Sequence, residues 1–162
     1  MKLNKKIAIV TGGASGFGAG IVKKFAAEGA TVIIADLNIE LGNKLAEEIG
    51  DVAMAIKVDV ADSDSVKAMV DQVIQKHGTI DIAVNNAGIG HIPQPLDELC
   101  ETVFDQIFNV NAKSVYNMAK YIVPIMKKAK TGAILNVAST GGVSPRPNLT
   151  WYNASKGWMI TA

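Results

Sequence analysis

Residues 7–18 read Ile7-Ala8-Ile9-Val10-Thr11-Gly12-Gly13-Ala14-Ser15-Gly16-Phe17-Gly18. A short apolar run that stops at Thr11 and gives way to glycines is the pattern of a buried parallel strand feeding a tight turn. Phe17, Ile21 and Phe25 follow at spacings of four, with Val22 beside them, and mark a helix packed on a sheet; Gly29 is placed to end it. Glycine backbone then sits at a helix N-terminus, where unpaired N–H groups and the positive end of the dipole attract phosphate. The spacing is not Gly-x-Gly-x-x-Gly: Thr11-Gly12 is followed by Gly16 and Gly18. A tight turn with no ligand is the alternative, and the rest of the chain decides between them.

Outward from this loop, strand and helix patterns alternate. Thr31 to Ala35 is a second apolar run ending at Asp36, about twenty residues past the glycines, where a carboxylate can accept hydrogen bonds from a ribose diol. Asp36 would also repel a 2′-phosphate, and Ala14, Ser15 and Leu37 offer no compensating cation, so NAD is expected in preference to NADP. A helix over Ile39 to Ile49 ends at Gly50, and Ala53 to Val58 forms a third strand leading to Asp59-Val60. Asp62 or Ser63 caps the next helix, whose stripe Val66, Met69, Val70, Val73, Ile74 runs to His77-Gly78.

Ile80 to Val84 is the fourth strand, and it runs into Asn85-Asn86-Ala87-Gly88. Small and amide residues at a strand's carboxyl end permit close approach of a ligand. Pro93 and Pro95 mark a loop, in which His91 is expected to be exposed. Leu96, Leu99, Val103, Phe104, Ile107 and Phe108 predict a helix, and Asn109-Val110-Asn111 opens a longer one reaching about Lys128, with a kink or break expected at Pro124. Ala133 to Val137 is the fifth strand. The alternation, without repeat or linker, predicts an α/β chain with a parallel sheet and a single domain over residues 1–162.

The fifth strand delivers Ser139, thirteen residues before Tyr152, which itself precedes Lys156 by four. At that spacing the last two share a helix face, so an ammonium can lie beside the phenol and favour phenolate. Ser139 could place a hydroxyl against the same substrate oxygen. Tyr116 and Lys120 repeat the spacing inside a helix, with no strand-end serine upstream, and read as packing plus a solvated lysine.

Composition narrows the classes. With 162 residues, 49% of them hydrophobic, the chain can bury a core, and a net charge of +1 gives no electrostatic reason to expect nucleic acid or an anionic membrane as a partner. Lys127, Lys128 and Lys130 read as a solvated helix end. Cys100 is the only cysteine, which excludes an internal disulfide and points to a reducing, cytoplasmic setting; a small buried side chain is its expected role. His77 and His91 lack partners at metal-ligand spacing, so no metal site is expected. The apolar run after the N-terminal lysines is too short for a signal-peptide core, and no segment has the length of a membrane span.

Taken together, Thr11-Gly12-x-x-x-Gly16-x-Gly18, Asp59, Asn85-Asn86-Ala87-Gly88, Asn111, Ser139 and Tyr152-x-x-x-Lys156 closely resemble the short-chain dehydrogenases/reductases, along the whole chain. The resemblance implies a Rossmann-like, doubly wound, three-layer fold and nicotinamide-dependent interconversion of a small-molecule alcohol and carbonyl. It implies Tyr152 as general acid/base, Ser139 orienting the substrate oxygen, Lys156 lowering the tyrosine pKa, and Asn111 holding a water in a proton relay. Gly12, Gly16 and Gly18 would cradle the pyrophosphate, with Ser15 and Phe17 also against the cofactor, Asp36 would hold the adenosine ribose, and Asp59 and Val60 the adenine. Asn86, Ala87 and Gly88 would meet the cofactor's centre, and Tyr152 and Lys156 the nicotinamide ribose. Homodimers or homotetramers formed through the long helices flanking the fifth strand are also implied.

Members of that family usually continue beyond the helix that carries Tyr152 and Lys156, with about a third more protein. Ending at Ala162, the chain is expected to lack the last strands, leaving the fifth as an edge and Trp158, Met159 and Ile160 without packing partners. The expectation is a fragment of a longer enzyme; a non-catalytic dinucleotide-binding or assembly module is the alternative. Leu149, Trp151 and the Pro145–Pro147 segment could line a substrate pocket or be loop packing.

Overall fold

A computed structural model describes residues 1–162. Five strands, β1 (Ile7–Thr11), β2 (Thr31–Asp36), β3 (Ala53–Lys57), β4 (Ile82–Asn85) and β5 (Ala133–Asn136), pair in parallel in the order β3-β2-β1-β4-β5. The helices are α1 (Gly16–Ala27), α2 (Ile39–Ile49), α3 (Ser63–His77), α4 (Glu101–Phe108), α5 (Ser114–Ala129) and α6 (Thr150–Thr161). Alternation along the strands decides the layers. Ile7, Ile9, Ile33 and Ala35 pack on one face against Val66, Met69 and Val73 of α3 and Met118 and Ile122 of α5. Ala8, Val10, Val32 and Ile34 pack on the other, against Val22 of α1 and Leu45 of α2. Both faces of the central strands β1 and β2 are therefore covered, as a parallel sheet requires.

Strand order reverses between β1 and β4, so the connections after these two strands diverge and open a crevice at their carboxyl ends. The glycine loop, Asp36, Asn86 and Ser139 all lie at or just past those ends. Asn38 and Asp62 cap α2 and α3 through side-chain hydrogen bonds, and Gly78 closes α3 in the left-handed region.

Several expectations change. Phe17 is 87% exposed and lines the crevice, so the face of α1 packed on the sheet begins one turn later, with Ala19, Ile21 and Val22. Strand β4 starts at Ile82, although Ile80 is buried just before it. Leu96 and Leu99 precede α4, which begins after Cys100, and Cys100 is exposed at the helix cap instead of buried. From Glu101 to Ala129 the chain is one helical run, with five π-helical residues, Asn109–Lys113, between α4 and α5. Pro124 does not interrupt α5; it lies on the exposed side, where the carbonyl deprived of its donor meets water. At the β5 edge Ile134 and Leu135 are exposed, as are Trp158 and Ile160 on α6, but Met159 is buried beneath Lys156.

Candidate active site

The floor of the crevice is built around one hydroxyl. Thr11 Oγ1, at the end of β1, donates to the Val84 carbonyl (3.2 Å) and accepts from the backbone N–H groups of Asn86 (3.0 Å) and Ala87 (3.1 Å). It thereby staples the carboxyl ends of β1 and β4 together. Asn86 reinforces the join by donating its amide to the carbonyls of Thr11 (2.9 Å) and Gly12 (3.1 Å). Gly12 has φ +60°, and a Cβ there would lie 2.9 Å from Ala87 Cα, so only glycine lets the two strand ends close this tightly. A Cβ on Gly18 would collide with the Gly12 carbonyl, which is what brings α1 up against the loop. Gly16 also has positive φ but faces open space.

Two hollows lie along these strand ends and share Gly88 and Ile89. The smaller, about 220 Å³, is lined by Gly12, Asp36, Asp59, Val60, Ala87 and Val110 among others. Asp36 accepts from Ala14 N (3.0 Å) and Asn38 N (2.9 Å), which fixes its carboxylate at the rim. Asn117, a polar residue on the buried face of α5, donates to the Val60 carbonyl (3.0 Å) and holds the Asp59-Val60 turn in place.

The larger hollow, about 730 Å³, contains Phe17, Asn86, Ser139, Tyr152 and Lys156 in its lining. Ser139 Oγ accepts from Gly141 N (3.1 Å), so its own proton remains available to a ligand. Tyr152, half-buried in the first turn of α6, packs near Gly90. Lys156 is 4% exposed; its ammonium donates to the Val137 carbonyl (3.0 Å) and contacts Met159 Sδ (3.4 Å). Burial pushes the Lys156 pKa below the usual lysine value. A Cβ on Gly88 would sit 3.1 Å from that ammonium, so glycine leaves room for it under the cleft floor.

Asn111 lies in the π-helical segment and is fully buried. Its Oδ1 accepts from Ile89 N (2.8 Å), while Nδ2 donates to Ile89 O (2.9 Å) and Ser155 Oγ (2.9 Å). Both amide protons are thus used to tie the loop after β4 to α6. Single π turns inside helices recur at functional sites because they re-aim one side chain. Of the residues expected from sequence, Ser15, Gly16, Gly18 and Asn111 line neither hollow, and the others do. His91, expected to be exposed in a loop, is half-buried in the wall of the larger hollow, where its Nδ1 donates to Ile92 O (2.9 Å). Thr11, Asn117 and Asn153 were not expected to organise the site. Asn153, buried in α6, donates to the Arg146 carbonyl (2.8 Å) and so ties down the segment after Ser139.

A family model described as short chain dehydrogenase matches residues 6–161. The chain belongs to the short chain dehydrogenase family. Among curated relatives, the 4-formylbenzenesulfonate dehydrogenase of Comamonas testosteroni is 45% identical over 99% of this chain and 65% of its own. The galactitol 2-dehydrogenase of Agrobacterium fabrum is 40% identical over 100% of this chain and 63% of its own. A solved 3-ketoacyl-(acyl-carrier-protein) reductase from Brucella melitensis complexed with NADH has a TM-score of 0.95 and 45% identity, over 98% of this chain and 67% of that one. A metagenomic short-chain oxidoreductase in complex with NADP also reaches 0.95, at 32% identity, over 99% and 74%. This family member thus has the Rossmann fold of those structures and spans about 65% of the length of the Comamonas testosteroni relative. No helix in it is long and apolar enough to cross a membrane.

Proposed function

We propose that this short chain dehydrogenase interconverts a secondary alcohol and a ketone with NAD(H). The observation that carries the reading is the pair of hollows meeting at Gly88: Asp36 and Asp59 line one, Ser139, Tyr152 and Lys156 the other, so an elongated dinucleotide can reach from end to end. The residues fit such a ligand, because Gly12 lets the loop close against Ala87 (2.9 Å from a Cβ there) and Gly88 leaves the Lys156 ammonium room beneath the cleft (3.1 Å). Gly12, Gly16 and Gly18 would hold the pyrophosphate, with Ser15 and Phe17 also against the cofactor and Gly16 leaving open space above the start of α1. Asp36 would accept from the adenosine ribose, Asp59 and Val60 would flank the adenine, and Ala87 and Gly88 the centre. Once bound, the nicotinamide supplies or takes the hydride.

The protein's part is the proton and the oxygen. Ser139 donates to the substrate oxygen, and Tyr152 gives or takes the proton there, as charge develops on that atom. Lys156, at the base of the cleft, offers the donor left over from Val137 and Met159 to a ribose hydroxyl. Asn111 acts at one remove: by fixing Ile89 and Ser155 it sets the distance between the loop after β4 and α6. Asp36 favours NAD by repelling a 2′-phosphate. By analogy with family members, assembly into dimers or tetramers through α4 and α5 on one side of β5 and α6 on the other goes with this reading.

The test is fluorescence titration with NADH and NADPH, together with turnover of a panel of ketones. Tighter NADH binding with turnover supports the reading. NADH binding with no turnover by any ketone supports a non-catalytic dinucleotide-binding module, and a clear NADPH preference overturns the role of Asp36.

A further inference from the structure

The larger hollow carries charge of one sign. Lys156 and Arg146 line it, and no aspartate or glutamate does. Arg146 is the only arginine in the chain. The four ion pairs of the protein use Lys6, Lys23, Lys24 and Lys67, so the Arg146 guanidinium has no carboxylate partner. Lys156 is buried and committed to the Val137 carbonyl, which leaves Arg146 as the open cation of the cleft.

Its backbone, by contrast, is held firmly. Pro145 and Pro147 flank it, and Asn153 Nδ2 donates to its carbonyl (2.8 Å). The next turn is pinned to the opposite loop, where Gln94 N donates to Asn148 O (3.0 Å) and Trp151 Nε1 to Leu96 O (2.9 Å). Arg146 does not line the hollow that contains Asp36, so it is not placed to read the adenosine end of a dinucleotide. Arg146 is exposed where it lines this hollow together with Ser139 and Tyr152, and it also lines a smaller hollow with Thr150 and Asn153; a planar fork of free donors on an anchored segment matches the geometry of a two-oxygen anion.

We propose that Arg146 is a specificity residue that reads an oxyanion group (carboxylate, sulfonate or phosphate) on the substrate, away from the carbon that is oxidised or reduced. This rests on the function proposed above. Arg146 takes no part in moving the proton or hydride; it selects and orients the molecule that presents its oxygen to Tyr152.

The probes are 4-acetylbenzoate and 4-acetylbenzenesulfonate, compared with the neutral methyl 4-acetylbenzoate. Two readouts are taken with wild type, Arg146→Ala, Arg146→Lys and the distant surface control Lys44→Ala: kcat/KM with NADH, and Kd for the NAD-saturated protein by calorimetry. The expected result is a preference of about tenfold to a hundredfold for the anions, the range of a charge-assisted bond, expressed mainly in KM and Kd. Arg146→Ala brings the anion-to-ester ratio close to one, Arg146→Lys keeps part of it, Lys44→Ala keeps all of it, and NADH affinity is the same in each. A wild-type ratio of one or less, an equal loss for acid and ester in Arg146→Ala, or weakened NADH binding in that variant overturns the inference. Turnover of no ketone overturns the proposed function instead, and the calorimetric ratio then still decides for or against Arg146.

Discussion

Replacing Thr11 by valine keeps the shape of the side chain and removes the hydroxyl on which three backbone groups converge. Asn86 N–H retains a second acceptor, the Val84 carbonyl at 3.1 Å, so it is weakened and not orphaned. Ala87 N–H has no acceptor besides Thr11 Oγ1 and loses its only bond. An unsatisfied, partly buried donor costs about 1–3 kcal/mol. In a chain of this size each kcal/mol lowers Tm by about 2–4 °C, giving a drop of roughly 2–12 °C by thermal circular dichroism. Because Ala87 and Gly12 meet at this joint, NADH affinity should fall as well. Thr11→Ser keeps the hydroxyl and should retain NADH affinity close to wild type, even though its lost methyl lowers stability somewhat. A valine variant equal to wild type in both Tm and NADH affinity would refute the argument that this hydroxyl closes the site.

Gly18→Ala drives a Cβ into the Gly12 carbonyl and should abolish tight NADH binding or soluble expression, whereas Gly20→Ala, in open space on the same helix, should raise stability by about 0.5–1 kcal/mol in urea unfolding. Equal behaviour of the two would contradict the close-packing argument. Asp36→Asn removes the charge that repels a 2′-phosphate and should narrow the ratio of NAD to NADP efficiency about tenfold or more, as steady-state kinetics will read; an unchanged ratio contradicts it. For Lys156, burial depresses the folded-state pKa, so the fold carries a penalty while the lysine is charged in both states. That penalty is relieved as pH rises from the folded pKa towards the unfolded value of about 10.4. The stability of wild type relative to Lys156→Met should therefore climb with pH over that window in urea titrations, and a flat or falling difference would count against it.

The sheet was legible because each strand is a short apolar run with a polar residue at or just past its carboxyl end. Asp36, Asn86 and Ser139 could be placed from that alone, since a strand end in a parallel sheet is a position in space as well as in sequence. Helix beginnings were harder. Phe17 has the spacing of a core residue, but spacing does not say where the sheet stops, and its side chain lines the crevice instead. Cys100 and Leu96 were misplaced because an apolar count carries no information about the caps that start a helix. Asn117 and Asn153 left a faint trace, as polar residues on apolar helix faces. Thr11 left less: a hydroxyl ending a strand looks the same whether it caps a turn or joins two strands. The π-helical residues around Asn111 follow from no local pattern, because they depend on Ile89 and Ser155 being there to meet the amide.

The central claim is that Tyr152 serves a carbonyl oxygen in the cleft while a nicotinamide lies beside it. Reduction of 4-acetylbenzoate with C4-deuterated NADH, followed by mass analysis of the alcohol, tests it directly in wild type and Tyr152→Phe. The account predicts deuterium at the carbinol carbon in wild type, and a rate lower by about 10²–10⁴ in the variant with NADH affinity retained. Deuterium transfer by Tyr152→Phe at the wild-type rate would contradict it.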